Sequence, residues 1–350
     1  MVKNIFTYIT VLLTMILPCS CIEEDSFDNS AEGNFDALWT LIDQRYCFLS
    51  YAEEEYGLDW NKMYHKYRSK IDDKTNSHQL FNICGELLSE LRDGHVNLTS
   101  TYGTTFNWDW KLLYPINFSD SLQRNYLGTR FMLNNGIRYN ILEDSIAYAH
   151  VSTFEKNFGS GNLTALLYTI SSCKALILDL RNNGGGMLTA AENLASHFTA
   201  AKIKVGYMQH KTGKAHEAFS SPKEIYLSPA DGAIWLRPVI LLTNRGGFSA
   251  ANHFVMMMRE LSQVVVMGDK TGGGSGMPLS NTLPNGWNVR FSACPILDAQ
   301  GNHTEFGIEP DIKVSITSED WNKGRDTIIE EAIKLAKALT NNKEEQKLLQ

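Results

Sequence analysis

The sequence reads as an α/β protein with a small helical domain ahead of its sheet, and three observations lead there. Apolar runs of buried-strand length, at Ala175–Leu180, Val239–Leu242 and Val264–Met267, alternate with helical segments through the second half. That order builds a parallel sheet with right-handed crossovers. Ahead of it, the body as far as Leu91 carries helical spacing and no strand run. Finally, two of the strands run into glycine-bearing turns that open helices, DLRNNGGG at Asp179–Gly186 and TNRGGFS at Thr243–Ser249. At 350 residues, 43% apolar and 20% charged, the chain has room for two folded units around a large core. Its formal charge of −7, with no basic run or basic-aromatic stripe, gives no reason to expect a nucleic-acid partner.

Residues 1–20 stand apart from the fold. Lys3 precedes an apolar stretch, Ile5–Pro18, that is short for a bilayer span and ends in LPCSC before turning acidic at IEED. This resembles a bacterial lipoprotein signal with Cys21 as the lipid acceptor and Cys19 as the alternative. A polar tether (21–33) follows. The expected location is the cell envelope, anchored to the outer membrane through that lipid alone. The cluster Glu23, Glu24 and Asp25 resembles a surface-export signal of Bacteroidetes lipoproteins. The remaining cysteines, Cys47, Cys84, Cys173 and Cys294, are scattered with no CxxC spacing. Neither a metal site nor a disulfide framework is expected.

The N-terminal helical domain (34–95) should hold helices over Phe35–Leu49, Trp60–Ile71 and Ser77–Leu91, each with apolar residues on one stripe. A β-rich connecting segment (96–145) follows, with strands at Val96–Leu98, Phe106–Trp110, Arg130–Leu133 and Tyr139–Ile141. Trp108 and Trp110 alternate with polar residues there, as on a half-buried strand. They either line a groove or pack against the core. The α/β core (146–340) opens with a strand at Ile146–Val151 and a helix at Gly161–Ser171. Further helices are expected at Met187–Phe198 and Ala250–Leu261, a strand at Trp287–Ala293, and an amphipathic helix at Thr327–Leu339.

The chemistry gathers at the two glycine-bearing turns. Ser249 opens a helix, where a serine is commonly an N-cap that satisfies an unpaired amide. The same strand–turn–helix geometry can instead lift the hydroxyl to the sheet edge as a nucleophile. GFSAA is not a nucleophile elbow, since Ala251 stands where the second glycine belongs. Gly184–Gly186 let backbone approach a ligand closely and offer amides to an oxyanion. No GK[ST] follows, so this is not a P-loop, and the GxGxxG dinucleotide spacing is absent.

Three motifs in order, LRDGHVNL, ALILDLRNNGGG, and the Ser249 segment with MGDKTGGGSG and EFGIEPDI, resemble the serine peptidase family of the tail-specific (C-terminal processing) proteases and the tricorn core protease. The resemblance covers about Leu91 to Val314. It implies a crotonase/ClpP-like core and hydrolysis of peptide or protein substrates through an acyl-enzyme, without metal or organic cofactor. The tail-specific branch draws its base from a lysine of a GEKTFGKG-like loop, and here Gly274 occupies that place. No PDZ-type insertion is evident between His95 and Ile146. The chain therefore looks like the tricorn-like branch, whose base follows Asp-Gly or Asp-Ser, here His95. The resemblance then implies Glu305 as the carboxylate that orients His95, with Glu309 as runner-up. The oxyanion amides would be those of Gly185 and Ala250, with Gly186 as the alternative first donor. Two departures stand out. Gly94 replaces the serine that precedes the tricorn histidine, and Asn252–His253 stand where relatives carry glutamate. His253, one turn beyond Ser249, is read as a packed or surface histidine. The rival reading is a catalytically inactive module of the same fold that binds peptides or other ligands in the cleft. A third, a crotonase-like acyl-CoA enzyme, leaves Ser249 and His95 without a role.

Overall fold

The computed structural model of the chain describes residues 26–348, and the side chains of all of these except 110 and 342–348. The expected signal segment and the lipid acceptors Cys21 and Cys19 lie outside the described residues. Four helices come first, α1 (Ala31–Arg45), α2 (Leu49–Tyr56), α3 (Trp60–Arg68) and α4 (Ser77–Ser89). Ser30, Asp59 and Asn76 cap α1, α3 and α4 by accepting from the amides of Gly33, Lys62 and Gln79. The single helix expected over Phe35–Leu49 breaks after Arg45. Tyr46 turns to extended backbone, and the Cys47 amide donates to the Ser292 carbonyl at 3.0 Å. Tertiary packing overrides helical spacing here, because Tyr46, Cys47 and Phe48 are all buried.

Two short strands follow, β1 (Asn97–Ser100) and β2 (Gly103–Thr104). The strand expected at Phe106–Trp110 is instead irregular backbone leading into a 3-10 turn, Asp109–Leu113. Its aromatic content suggested a strand, but Trp108 packs on the ring of Phe248, centroids 4.8 Å apart and edge-on. Next come α5 (Asp120–Leu127), which has no counterpart in the sequence reading, β3 (Met132–Asn134), β4 (Ile137–Leu142), β5 (Ile146–Val151) and α6 (Ser160–Thr169). The core continues with β6 (Ala175–Asp179), α7 (Leu188–Ser196), β7 (Ile203–Met208), β8 (Lys223–Leu227), β9 (Val239–Thr243), α8 (Ala250–Met258) and β10 (Val264–Gly268). It ends with β11 (Gly276–Thr282), β12 (Asn288–Asp298), β13 (Ile312–Lys313), α9 (Ser318–Asn322) and α10 (Thr327–Leu348).

The main sheet has seven strands in the order β13-β10-β9-β6-β5-β4-β3, parallel from β5 to β13 and antiparallel across β3, β4 and β5. A second sheet runs β2-β1-β12-β7-β8, with β11 also on β12. The expected strand–helix alternation is thus interrupted, because β7 and β8 pair in the second sheet. Period-2 alternation explains why the central strands read as unbroken apolar runs. Leu176, Leu178, Val239 and Leu241 face α6, α7 and α8, whereas Ala175, Ile177, Ile240 and Leu242 face α10. The helical domain packs separately, against Val289, Phe291 and Ala293 of β12. This second contact carries the segment after α4 to the edge of the main sheet.

A buried charge cluster ties α10 to the carboxyl end of β6. Arg181 is fully buried; it donates from Nε and Nη2 to Asp179 (3.0 and 2.7 Å) and from Nη1 to Asp326 (3.1 and 2.9 Å). Asp326 also caps α10, accepting from the amides of Ile328 and Ile329. Burial alone would raise the Asp179 pKa, but the guanidinium outweighs it and holds the carboxyl below its usual range. Arg181→Met would leave two carboxylates buried without a counter-ion and should cost about 3–5 kcal/mol. Urea unfolding measures this; a loss under about 1 kcal/mol would mean the cluster does not hold the two elements together.

Candidate active site

The two turns meet because β6 and β9 are adjacent and in register, Asp179 opposite Leu242. Ligand sites of open α/β sheets lie at these carboxyl ends. Asparagines lock the turns together. Asn244 accepts from the amides of Asn182 and Gly246 and donates to Asn182 Oδ1, at 2.8, 3.0 and 2.8 Å. The Phe248 amide donates to the Asn183 carbonyl at 3.0 Å. Between these fastenings Ser249 sits at φ 56°, ψ −119°. A non-glycine residue with this backbone stores on the order of 1–3 kcal/mol of strain. Ser249 makes no side-chain cap bond to α8, so the capping role weighed from the sequence is absent. The hydroxyl points away from its helix.

It points at His95, whose Nε2 lies 3.0 Å from Ser249 Oγ. His95 belongs to the turn between α4 and β1, and Asp93 shapes that turn. Fully buried, Asp93 accepts from the His95 amide at 2.7 Å and from Ser292 Oγ at 2.8 Å, fixing the histidine backbone to β12. Burial holds the imidazole below its ordinary pKa of 6.5; Asp93 pulls it up and Arg290 pushes it further down. His95 is therefore neutral, and able to accept a proton, at neutral pH. Its Nδ1 is buried and has no hydrogen-bond partner among the described residues.

Glu305, the expected orienting carboxylate, does not hydrogen-bond His95. Its Oε2 accepts from the amides of Ser275 and Gly276 (2.7 and 3.2 Å) and from Ser275 Oγ (3.3 Å). Burial, then repulsion from Asp93, pushes this carboxyl well above its usual range, which favours the neutral acid. Glu305 thus fastens the glycine loop rather than the imidazole. Glu309 is mostly exposed and pairs with Lys270 at 3.4 Å. Both departures noted at glycines have steric explanations. A Cβ on Gly94 would fall 2.0 Å from the Trp108 ring, so that indole fills the space of the serine found in tricorn. A Cβ on Gly274 would fall 2.4 Å from the Phe248 ring, leaving no room for a lysine base in this arrangement.

The glycine turn lies against the serine. A Cβ on Gly185 would stand 2.8 Å from Ser249 Cβ and 2.9 Å from the Ala250 nitrogen, so only glycine permits this approach. Of the two candidate donors on this turn, the Gly185 amide is committed to Asn183 Oδ1 at 2.9 Å. The Gly186 amide makes no hydrogen bond among the described residues. The Ala250 amide, first of α8, has no partner within the helix. Gly186 and Ala250, rather than Gly185 and Ala250, are therefore the amides left open beside Ser249. A cavity of about 300 Å³ opens there, lined by Gly186, Ser249, His253 and Arg290 among others. His253 is buried rather than superficial. Asp93, Asn183, Asn244 and Arg290 were not singled out from the sequence. Asp93 alone had a signal, as an aspartate whose side chain can accept the amide two residues on.

The model of peptidase family S41 matches residues 145–314, and that of the tricorn protease C1 domain matches residues 27–89. A crystal structure of a candidate peptidase from Parabacteroides merdae is 47% identical, with a TM-score of 0.84, covering 88% of this chain and 97% of that one. Mature CPAF in complex with lactacystin shares the fold at 12% identity, with a TM-score of 0.71 over 89% of this chain and 99% of that one. The carboxy-terminal processing proteases CtpA and CtpB of Bacillus subtilis are 27% and 25% identical over 41% and 49% of this chain. The chain spans about a third of the length of these curated relatives, 29% and 34%. On the matched core, the matched helical domain and the 47% identity along nearly all of the Parabacteroides protein, the chain belongs to peptidase family S41.

Proposed function

We propose that this chain is a serine endopeptidase that cuts peptide or protein substrates through an acyl-enzyme. The observation that carries this reading is the 3.0 Å separation of Ser249 Oγ and His95 Nε2. Ser249 Oγ attacks the scissile carbonyl while His95 Nε2 takes its proton, a step worth on the order of 10²–10⁴-fold. The amides of Gly186 and Ala250 receive the negative charge that develops on the carbonyl oxygen. His95 then returns the proton to the leaving amine, and a water molecule, deprotonated by the same imidazole, hydrolyses the ester. The chemistry calls for no metal or organic cofactor.

Nε2 can accept only if Nδ1 carries the ring proton, and that proton has no acceptor among the described residues. This favours the second reading, a module that binds peptides in the cleft without cutting them, and one experiment separates the two. A fluorophosphonate should label the wild-type protein at Ser249, fail on Ser249→Ala, and react at least about 100-fold more slowly with His95→Ala. Because the His95 pKa lies below its ordinary value, the labelling rate should fall only as pH drops through a midpoint under 6.5. Labelling that persists in Ser249→Ala, or a midpoint above about 7, contradicts the assignment. A separate variant tests Glu305. Its partners are donors that an amide oxygen also satisfies, so Glu305→Gln should keep the labelling rate within about threefold. A loss of 100-fold would mean instead that its charge orients the imidazole.

A further inference from the structure

The cavity beside Ser249 is apolar along one wall, formed by Leu188, Met256, Met277 and Ile296, and among the described residues no carboxylate lines it. Two polar side chains of this lining make no hydrogen bond among the described residues. Arg290 is half-buried, and its guanidinium makes no hydrogen bond or ion pair among the described residues. It sits on β12 in register with Asn97 of β1 and Ser280 of β11. By strand alternation it shares a face with Ser292, the residue that bonds Asp93 behind His95. His253, on the first turn of α8, is 5% exposed, and neither of its ring nitrogens makes a hydrogen bond among the described residues. The Glu192 carboxylate is 3.7 Å from its Nε2.

We propose that this cavity is the subsite for the residue that supplies the scissile carbonyl, and that it selects a side chain ending in a carboxylate, glutamate above others. Arg290 is the specificity-determining residue. The inference rests on the peptidase reading and adds the substrate class. The half-buried guanidinium is attracted by the buried Asp93 carboxylate but makes no hydrogen bond or ion pair with it, so its N–H donors stay open, and a carboxylate entering the cavity supplies the missing acceptor. The aliphatic wall fits the two methylenes of glutamate, and His253 offers a second polar contact. A leucine side chain fills the wall but leaves the Arg290 donors without an acceptor. A lysine side chain adds like charge next to Arg290. Sites built to pair a polar group reject the analogue that lacks it more strongly than sites that only fill space.

The test uses N-acetylated tripeptidyl diphenyl phosphonates that differ only in the residue carrying phosphorus: glutamate, glutamine, leucine or lysine. Inactivation rates are measured on wild type, Arg290→Gln and Arg290→Lys, and each protein is read as a ratio between reagents, so a general loss of reactivity does not enter. Wild type should prefer glutamate over glutamine and leucine by about tenfold or more, the scale of a charge-assisted hydrogen bond. The ratio should fall to about one in Arg290→Gln and recover in part in Arg290→Lys, which keeps the charge but not the fork. A wild-type preference for leucine or lysine overturns the proposal without needing any variant, and so does a glutamate ratio that survives in Arg290→Gln. A plain fluorophosphonate, which does not use the subsite, runs alongside. If it labels wild type while glutamate gains nothing, only the subsite assignment falls. If it fails, the peptidase reading falls and this proposal with it.

Discussion

The site depends on the backbone of one residue, Ser249, held at a positive φ between a strand and a helix. With an ordinary helix-start backbone its hydroxyl would fold onto the α8 amides and be used up as a cap. The strained backbone sends Oγ to His95 instead and leaves the Ala250 amide open next to it. Strain of this size needs surrounding structure that over-determines it. The Ser249 amide donates to the Gly273 carbonyl, the Phe248 amide to Asn183, and Asn244 joins the two turns. Gly185 allows the approach by having no side chain to collide with Ser249.

The serine and its base come from separately packed parts of the chain. Ser249 stands on the main sheet, whereas His95 leaves the helical domain and is fastened through Asp93 to β12 of the second sheet. The second sheet is therefore the frame that sets the 3.0 Å separation. It also contributes Arg290 to the cavity wall, so the same strand serves the position of the base and the lining of the pocket. On the far side of the main sheet, Arg181 connects the strand end that precedes the glycine turn to the cap of α10. The carboxyl end of β6 is thus anchored before the turn begins.

Much of this was legible in the sequence, for identifiable reasons. Ala175–Asp179 and Val239–Thr243 are buried on both faces, and such strands read as unbroken apolar runs. Ser249, His95 and the glycines stood out because each sits in a motif that ordinary packing does not require. β7 was missed because its partner β12 lies some ninety residues further along the chain at Ile296–Asp298, and β8 pairs only with β7 at the sheet edge. Phe106–Trp110 misled because aromatic residues favour strands, while here the indole of Trp108 is taken up by Phe248 and the bare Gly94. Glu305 was placed by its position in a motif, and position does not say where a side chain points. Its carboxyl turned to Ser275 and Gly276. Gly186 replaced Gly185 as the open amide because the Asn183 side chain reaches the nearer one first.

The claim that the Ser249 backbone creates the site is tested most directly by a crystal structure of the protein reacted with a phosphonate. The account predicts a covalent bond to Ser249 Oγ, φ of that residue still positive, and the phosphonyl oxygen about 2.7–3.1 Å from the nitrogens of Gly186 and Ala250. The Gly185 amide should remain on Asn183. An adduct whose oxygen faces away from both amides would contradict it. So would a Ser249 backbone that relaxes to negative φ with Oγ turned onto the α8 amides.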